Sequence, residues 1–287
     1  MFGVTRQSYY QHYWRKEFLS IEHHLILEEV RRVRRFHRSM GTRKLYEKLQ
    51  GFLLENQIKL GRDALFNLLS TNGLLVRKRK RSVSTTMSYH RYHKWPNLIK
   101  GFVPTAVDQL YVSDITYWKT ELGFLFISLI TDVFSHKIVG YHVANTLETI
   151  ASRRALEMAL KGIKGEAEKL IHHSDRGIQY CSAEYVKVLQ SRNINISMTE
   201  TSEPTDNAVA ERVNGILKEE YLSHYKVKTL KEAREVLQES IELYNHDRPH
   251  MSIGLLTPDL VHDYNIQTEK LWKNYYSKKV SLPSVNQ

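Results

Sequence analysis

Three apolar runs, rich in β-branched and aromatic residues, follow one another with only short polar breaks: Leu110 to Thr116, Phe124 to Thr131 and Lys137 to Val143. Runs of this kind read as strands, and breaks this short leave no room for a crossover helix, so neighbours must pair antiparallel as a meander. The pattern then changes. A helix is expected from Thr149 to Leu160, a strand from Leu170 to His173, a helix from Ala183 to Ser191, a short strand from Ile194 to Met198, and helices starting at Asn207 and Lys231. The order βββαβαβα excludes a doubly wound parallel sheet.

Three acids sit at informative places in that order. Asp114 closes the first strand run in Tyr-Val-Ser-Asp-Ile-Thr-Tyr, Asp175 follows the fourth in His-His-Ser-Asp-Arg-Gly, and Glu211 lies early in the helix that starts at Asn207. Separate elements can bring three carboxylates to one point, and such a set of hard oxygen donors suits magnesium. Asp132, after the second strand, reads as a turn-forming carboxylate, and Asp206 as a cap for the helix carrying Glu211. His172 and His173 are adjacent on a strand, so they point to opposite faces and cannot share one ion.

Charge divides the chain. Residues 1–101 hold 21 Lys and Arg against 7 Asp and Glu, whereas residues 102–287 hold 21 against 24. A basic excess that dense is expected of a surface that meets phosphates, so nucleic acid is the expected partner, gripped mainly by the N-terminal third. A helix is predicted over residues 22–38 with Leu25, Ile26, Glu29, Val33 and Phe36 on one side. A second helix after Gly41-Thr42 would carry Leu45, Leu49, Phe52 and Leu53, and a third, Arg62 to Thr71, would stop at Asn72-Gly73. Two short helices after a leading one suggest a helix-turn-helix over residues 1–75. Residues 76–101 then read as a basic linker, in which Arg77, Lys78, Arg79, Lys80 and Arg81 precede Tyr89, Tyr92 and Trp95 and are expected to track DNA. The catalytic unit would span residues 102–265, leaving 266–287 as a tail. The single cysteine, Cys181, excludes an intramolecular disulfide and reads as a small core or surface residue. No apolar run is long enough to span a bilayer and no secretory leader is evident, so a cytoplasmic protein is expected.

Thirty-five residues separate Asp175 from Glu211, and with the words around each acid the chain resembles the DD(35)E transposases and retroviral-type integrases. More closely, it resembles the second reading-frame product of IS3-family insertion sequences, over nearly its whole length. Met40-Gly41-Thr42-Arg43-Lys44-Leu45 and the closing Tyr244-Asn245-His246-Asp247-Arg248-Pro249-His250 match that family too. The resemblance implies an α/β fold, a ribonuclease H-like catalytic core with a mixed five-stranded sheet and flanking helices, preceded by a small all-α helix-turn-helix domain. It implies two magnesium ions, replaceable by manganese, with Asp114 bridging and Asp175 and Glu211 each completing one ion. It places Asn214 and Lys218 beside Glu211 on a DNA-facing side; for Arg248 and His250 a DNA contact and a structural task of fastening the last helix are both open, and the structural one is expected. The implied substrates are the element's terminal inverted repeats and a target duplex. A homo-oligomer on DNA and a fusion with an upstream-frame product are also implied, since Gly3 to Tyr10 resembles the recognition half of a reader whose first half lies upstream. The alternatives left open are a catalytically inactive helix-turn-helix regulator and a ribonuclease H-like nuclease. The chain departs from the family at Glu200 to Thr205, where an acidic segment replaces a basic, glycine-containing loop expected to move over the site.

Overall fold

The computed structural model describes residues 6–76, 91–163, 169–200, 207–269 and 271. At its centre is a five-stranded sheet. Strands β1 (Leu110–Thr120), β2 (Gly123–Asp132) and β3 (Ile138–Ala144) form the expected antiparallel meander, and β4 (Ile171–Ser174) and β5 (Asn195–Met198) add in parallel on the other side of β1. The strand order is β3-β2-β1-β4-β5. That order, with helices between the parallel strands, is the ribonuclease H-like arrangement. β1 and β2 run several residues longer than their apolar runs, because Lys119, Thr120 and Gly123 continue the ladder into solvent.

Each face of the sheet has its own core. On one, α4 (Thr149–Lys161) and α6 (Ala183–Gln190) bury Ala155, Leu156, Ala159, Tyr185 and Leu189 against Tyr111, Ile130 and Ile196. α4 approaches β3 so closely at Gly140 that a Cβ there would lie 2.2 Å from the Ala155 carbonyl oxygen. A side chain at that position would push helix and sheet apart. On the other face, α7 (Ala208–Ile216) and α8 (Leu230–Glu242) bury Val213, Ile216, Leu237 and Ile241 against Trp118, Leu125, Ile127 and Leu129. Both of these helices end in a single π-helical turn, Leu217–Tyr221 and Leu243–Asp247. The short α5 (Ile178–Cys181) and α9 (Pro258–Tyr264) complete the unit. Neither was expected, although Thr257-Pro258, a proline at the first helical position, was a legible start signal for α9.

The N-terminal unit is three helices around one small core. α1 (Arg6–Phe36) is continuous, so residues 6–13 form the opening turns of the same helix that continues to Phe36. Its inward face also differs from the expected one: Ile26 and Val30 are buried, while Leu25 and Phe36 are 41% and 61% exposed. Six apolar positions spread around residues 22–38 fit more than one stripe, and contact with α2 (Thr42–Glu55) and α3 (Arg62–Thr71) selects the one containing Val30. Leu45, Leu49, Leu53, Leu65 and Leu69 are buried as their spacing requires, and α3 stops at Gly73 with φ 66°. α2 and α3 are joined by residues 56–61, held by a hydrogen bond from Tyr46 Oη to the Leu60 carbonyl (3.1 Å). The first five residues, the basic run from Arg77 to Arg81, Tyr89, and Asp206 with the loop residues 201–206 lie outside the described residues. No described helix is long and apolar enough to cross a membrane.

Candidate active site

The parallel pairing of β1 and β4 sets Val112 opposite His173 and Ser113 opposite Ser174. The ladder ends at that pair; Asp114 and Asp175 are the next residues on the two chains, near enough for the charge of Asp175 to act on the Asp114 carboxyl. Asp175 follows the end of β4 in a tight turn, where its Oδ1 accepts the Gly177 N–H (2.9 Å). α7 delivers the third acid. The Nδ2 of Asn207, just before the helix, donates to the Ser113 carbonyl (3.0 Å), and the Nδ2 of Asn214 donates to Asp114 Oδ2 (2.6 Å). Positions 207, 211 and 214 share one helical face. Glu211 is therefore held between two amide contacts that end on Ser113 and Asp114.

The electrostatics report the same convergence. Burial pushes the Asp114 carboxyl up to about 7, and the neighbouring charge of Asp175 pushes in the same direction. Hydrogen bonds from Asn214 and the Ile115 N–H partly offset this, and Glu211 adds a smaller upward push. Asp114 and Asp175 are half-buried and Glu211 is exposed, so the group opens to solvent on the side of α7. Like charges brought this close without need are destabilising, which makes such a group a marker of function.

The structure sorts the other candidates by position. Asn214 is buried and its amide donates to Asp114, so it faces that acid from the helix carrying Glu211. Lys218 lies half-buried in the π-turn after α7, its ammonium 4.7 Å from the centre of the Tyr117 ring. That contact sets the Lys218 side chain against β1. His172 and His173 diverge as expected: Nε2 of His172 lies 2.7 Å from Ser113 Oγ and 2.9 Å from Tyr185 Oη, while Nδ1 of His173 lies 2.8 Å from Ser197 Oγ. Burial holds the His172 imidazole down to about 3, so it is a neutral core group. Cys181 is buried, its thiol pushed up to about 11 mainly by burial.

Among the described residues, the group whose ligand atoms lie within 4.8 Å of one another is Asp108, Asp132 and His262, at the start of β1, and not Asp114, Asp175 and Glu211, which stand further apart. Its hydrogen bonds are made internally. Asp132 accepts from the Asp108 N–H (2.9 Å) and from both the N–H and Oγ–H of Ser135 (2.7 Å each), and Tyr111 Oη donates to Asp108 (2.5 Å). This is the turn-forming role expected of Asp132, extended into a buried strut that fastens α9. Arg248 is also structural: 2% exposed, it donates to Glu220 through Nε (2.9 Å) and Nη2 (2.7 Å). Asn207 and Glu220 carry no sequence signal of their own, since each acquires its partner only through the fold.

A 3-2-1-4-5 sheet with acids gathered where β1, β4 and α7 meet defines a polynucleotidyl transferase core of the integrase type. Two models of the integrase core domain match the chain, over residues 104–204 and 192–258. The insertion element IS600 31 kDa protein of Shigella sonnei is 36% identical over 90% of this chain and 94% of its own length. The IS629 transposase of the same organism is 32% identical over 77% of this chain and 73% of its own, and the transposase InsF of IS3A from Escherichia coli is 31% identical over 62% and 63%. Among solved structures, the catalytic core domain of BIV integrase aligns over 55% of this chain and 95% of its own, with 18% identity and a TM-score of 0.44. The chain belongs to the insertion-sequence transposases that carry an integrase core domain, the family of the IS3 elements. Its activity is that of a DDE transposase.

Proposed function

We propose that Asp114, Asp175 and Glu211 are the catalytic acids and the ligands of two divalent ions, Asp114 lying between them. The observation that carries this reading is the Asp114 carboxyl, raised to about 7 by burial and by the two other acids. The donor set fits the ion: three carboxylates are hard oxygen ligands, and the buried amide oxygens of Asn207 and Asn214 accept no hydrogen bond among the described residues, as suits groups beside a hydrated cation. Magnesium, with manganese as a substitute, would supply charge stabilisation at the phosphorus and activation of the attacking and leaving oxygens. The chain's own contribution is orientation. Asn214 and the Ile115 N–H each occupy one oxygen of Asp114, and Asn207 ties the start of the Glu211 helix to the same strand.

The substrates in this reading are the terminal inverted repeats of the element and a target duplex: a nick releases a 3′-hydroxyl, which then attacks a second phosphodiester. The helical region 1–75 would act as the helix-turn-helix reader, Arg77 to Arg81 would grip phosphates, and Lys218 would reach the terminal phosphates. The working form would be a homo-oligomer on DNA at the bacterial nucleoid in the cytoplasm, fused to the upstream-frame product that completes the reader. The gathered acids speak against a dead regulator, since a pure binding module gains nothing from repelling carboxylates beside phosphates. A strand-transfer assay with labelled element ends and magnesium tests the reading. Joined products are expected from the native chain and none from Glu211→Gln, with Glu219→Gln retaining activity as the register control. Cleavage without joining would assign a nuclease instead.

A further inference from the structure

The two π-turns lie together and carry acids that face the N-terminal helices. Glu220, in the turn after α7, is clasped by buried Arg248 from just beyond the other turn and by Lys44 of α2, whose Nζ lies 3.0 Å from Glu220 Oε1. Asp247, in the turn after α8, is met by Lys48 of α2 and by His37, whose Nε2 lies 2.7 Å from Asp247 Oδ2. The other nitrogen of His37 lies 3.0 Å from the hydroxyl of Tyr221. Lys44 and Lys48 are four residues apart and share one face of α2, and His37 lies just after α1, so all three reach the same surface. They are also part of the basic excess that the sequence assigns to DNA.

We propose that His37, Lys44 and Lys48 form a latch that docks the helical unit onto the two π-turns, and that Glu220 is thereby a positioning residue for Glu211. The latch itself rests only on the contacts above, while its consequence for Glu211 rests on the proposed active site. Three features support it. Lys44 and Glu220 are each largely enclosed, with side chains 14% exposed, so neither is free to meet a duplex without first separating the units. Arg248 inside the fold would itself be left as an unmatched charge if Glu220 turned away. The turn that carries Glu220 and Tyr221 follows directly from α7, so anchoring it limits rotation and sliding of the helix on which Glu211 sits.

The test uses the full chain, with Lys44→Met/Lys48→Met and the charge-conserving pair Lys44→Arg/Lys48→Arg. Hydrogen exchange of amides in residues 208–221 and 243–247 is measured without DNA or metal. The double methionine variant should exchange at least ~10-fold faster in both turns, whereas the double arginine variant should stay within ~3-fold of the native chain. The slope of log affinity for duplex DNA against log salt should be unchanged in the double methionine variant, because latch residues release no counterions from DNA. Unchanged exchange together with a slope reduced by about 2 would make the lysines phosphate contacts and overturn the latch. Equally fast exchange in the methionine and arginine variants would overturn the charge pairing as its basis. Loss of joining in Glu211→Gln bears on the active site alone, so the two readings fail separately.

Discussion

The acids grouped around the two ends of α7 behave in opposite ways. At the proposed active site, Asp114 is raised to about 7 because burial and two further carboxylates oppose its ionisation. At the latch, Glu220 and Asp247 are also penalised by burial, yet both are held down to about 2: Glu220 by Arg248 and Lys44, Asp247 by His37 and Lys48. Lys44 shows the other half of that balance, since burial and the charge of Arg248 bring it down to about 8 against the pull of Glu220. A buried acid matched by bases fastens structure, whereas an acid gathered with other acids keeps a charge deficit that a cation can fill. Burial alone separates neither case; the neighbours do.

The largest expected contrast is between Glu211→Gln and Glu220→Gln. The first should lower joining by at least about 1,000-fold, about 4 kcal/mol of transition-state stabilisation, and leave the melting temperature unchanged or slightly higher. The second should cost about 3–5 kcal/mol of stability by leaving Arg248 enclosed without its counter-charge, read as a lower denaturant midpoint at constant slope. Equal melting temperatures for the two variants would erase the distinction drawn here.

Acid should act on the latch first. Because Glu220 and Asp247 are depressed in the folded chain, their stabilisation is fully present above the ordinary carboxylate range and is lost as pH falls from about 4.5 through about 2. For Glu220 the loss is on the order of 3 kcal/mol, and it should be absent in Glu220→Gln. Denaturant titrations of both proteins across that window check the sign. Parallel pH curves would remove the latch as the acid-sensitive element.

The smallest effect concerns Asp114, with the opposite sign. Its raised value means that ionisation costs the metal-free fold stability, fully so above pH 7 and progressively less as pH falls from 7 toward 4. Asp114→Asn should therefore be more stable than the native chain by about 1–3 kcal/mol at pH 8 and indistinguishable from it near pH 4. A variant less stable at pH 8 would mean that the Asn214 contact, and not charge repulsion, dominates at that position.

Much of the fold was legible because it rests on local chemistry. Alternating apolar runs with short breaks determined the meander of β1 to β3, and the spacing of Leu45, Leu49, Leu65 and Leu69 determined the inner faces of α2 and α3. The words around Asp114, Asp175 and Glu211 determined which acids to suspect, and the parallel register of β1 and β4 then set the first two side by side. What the sequence left open depends on partners that are distant along the chain. The inner face of α1 was chosen by α2 and α3, since several apolar stripes were available to it. Asn214 took Asp114 as its partner because β1 offered that carboxylate at hydrogen-bonding distance, and the π-turn that carries Lys218 has no sequence mark. Lys44 and Lys48 read as DNA-binding charge until the fold placed Glu220 and Asp247 against them, about 175 and 200 residues further along. Periodicity is written residue by residue, but the partner of a charge is decided only when the chain has closed on itself.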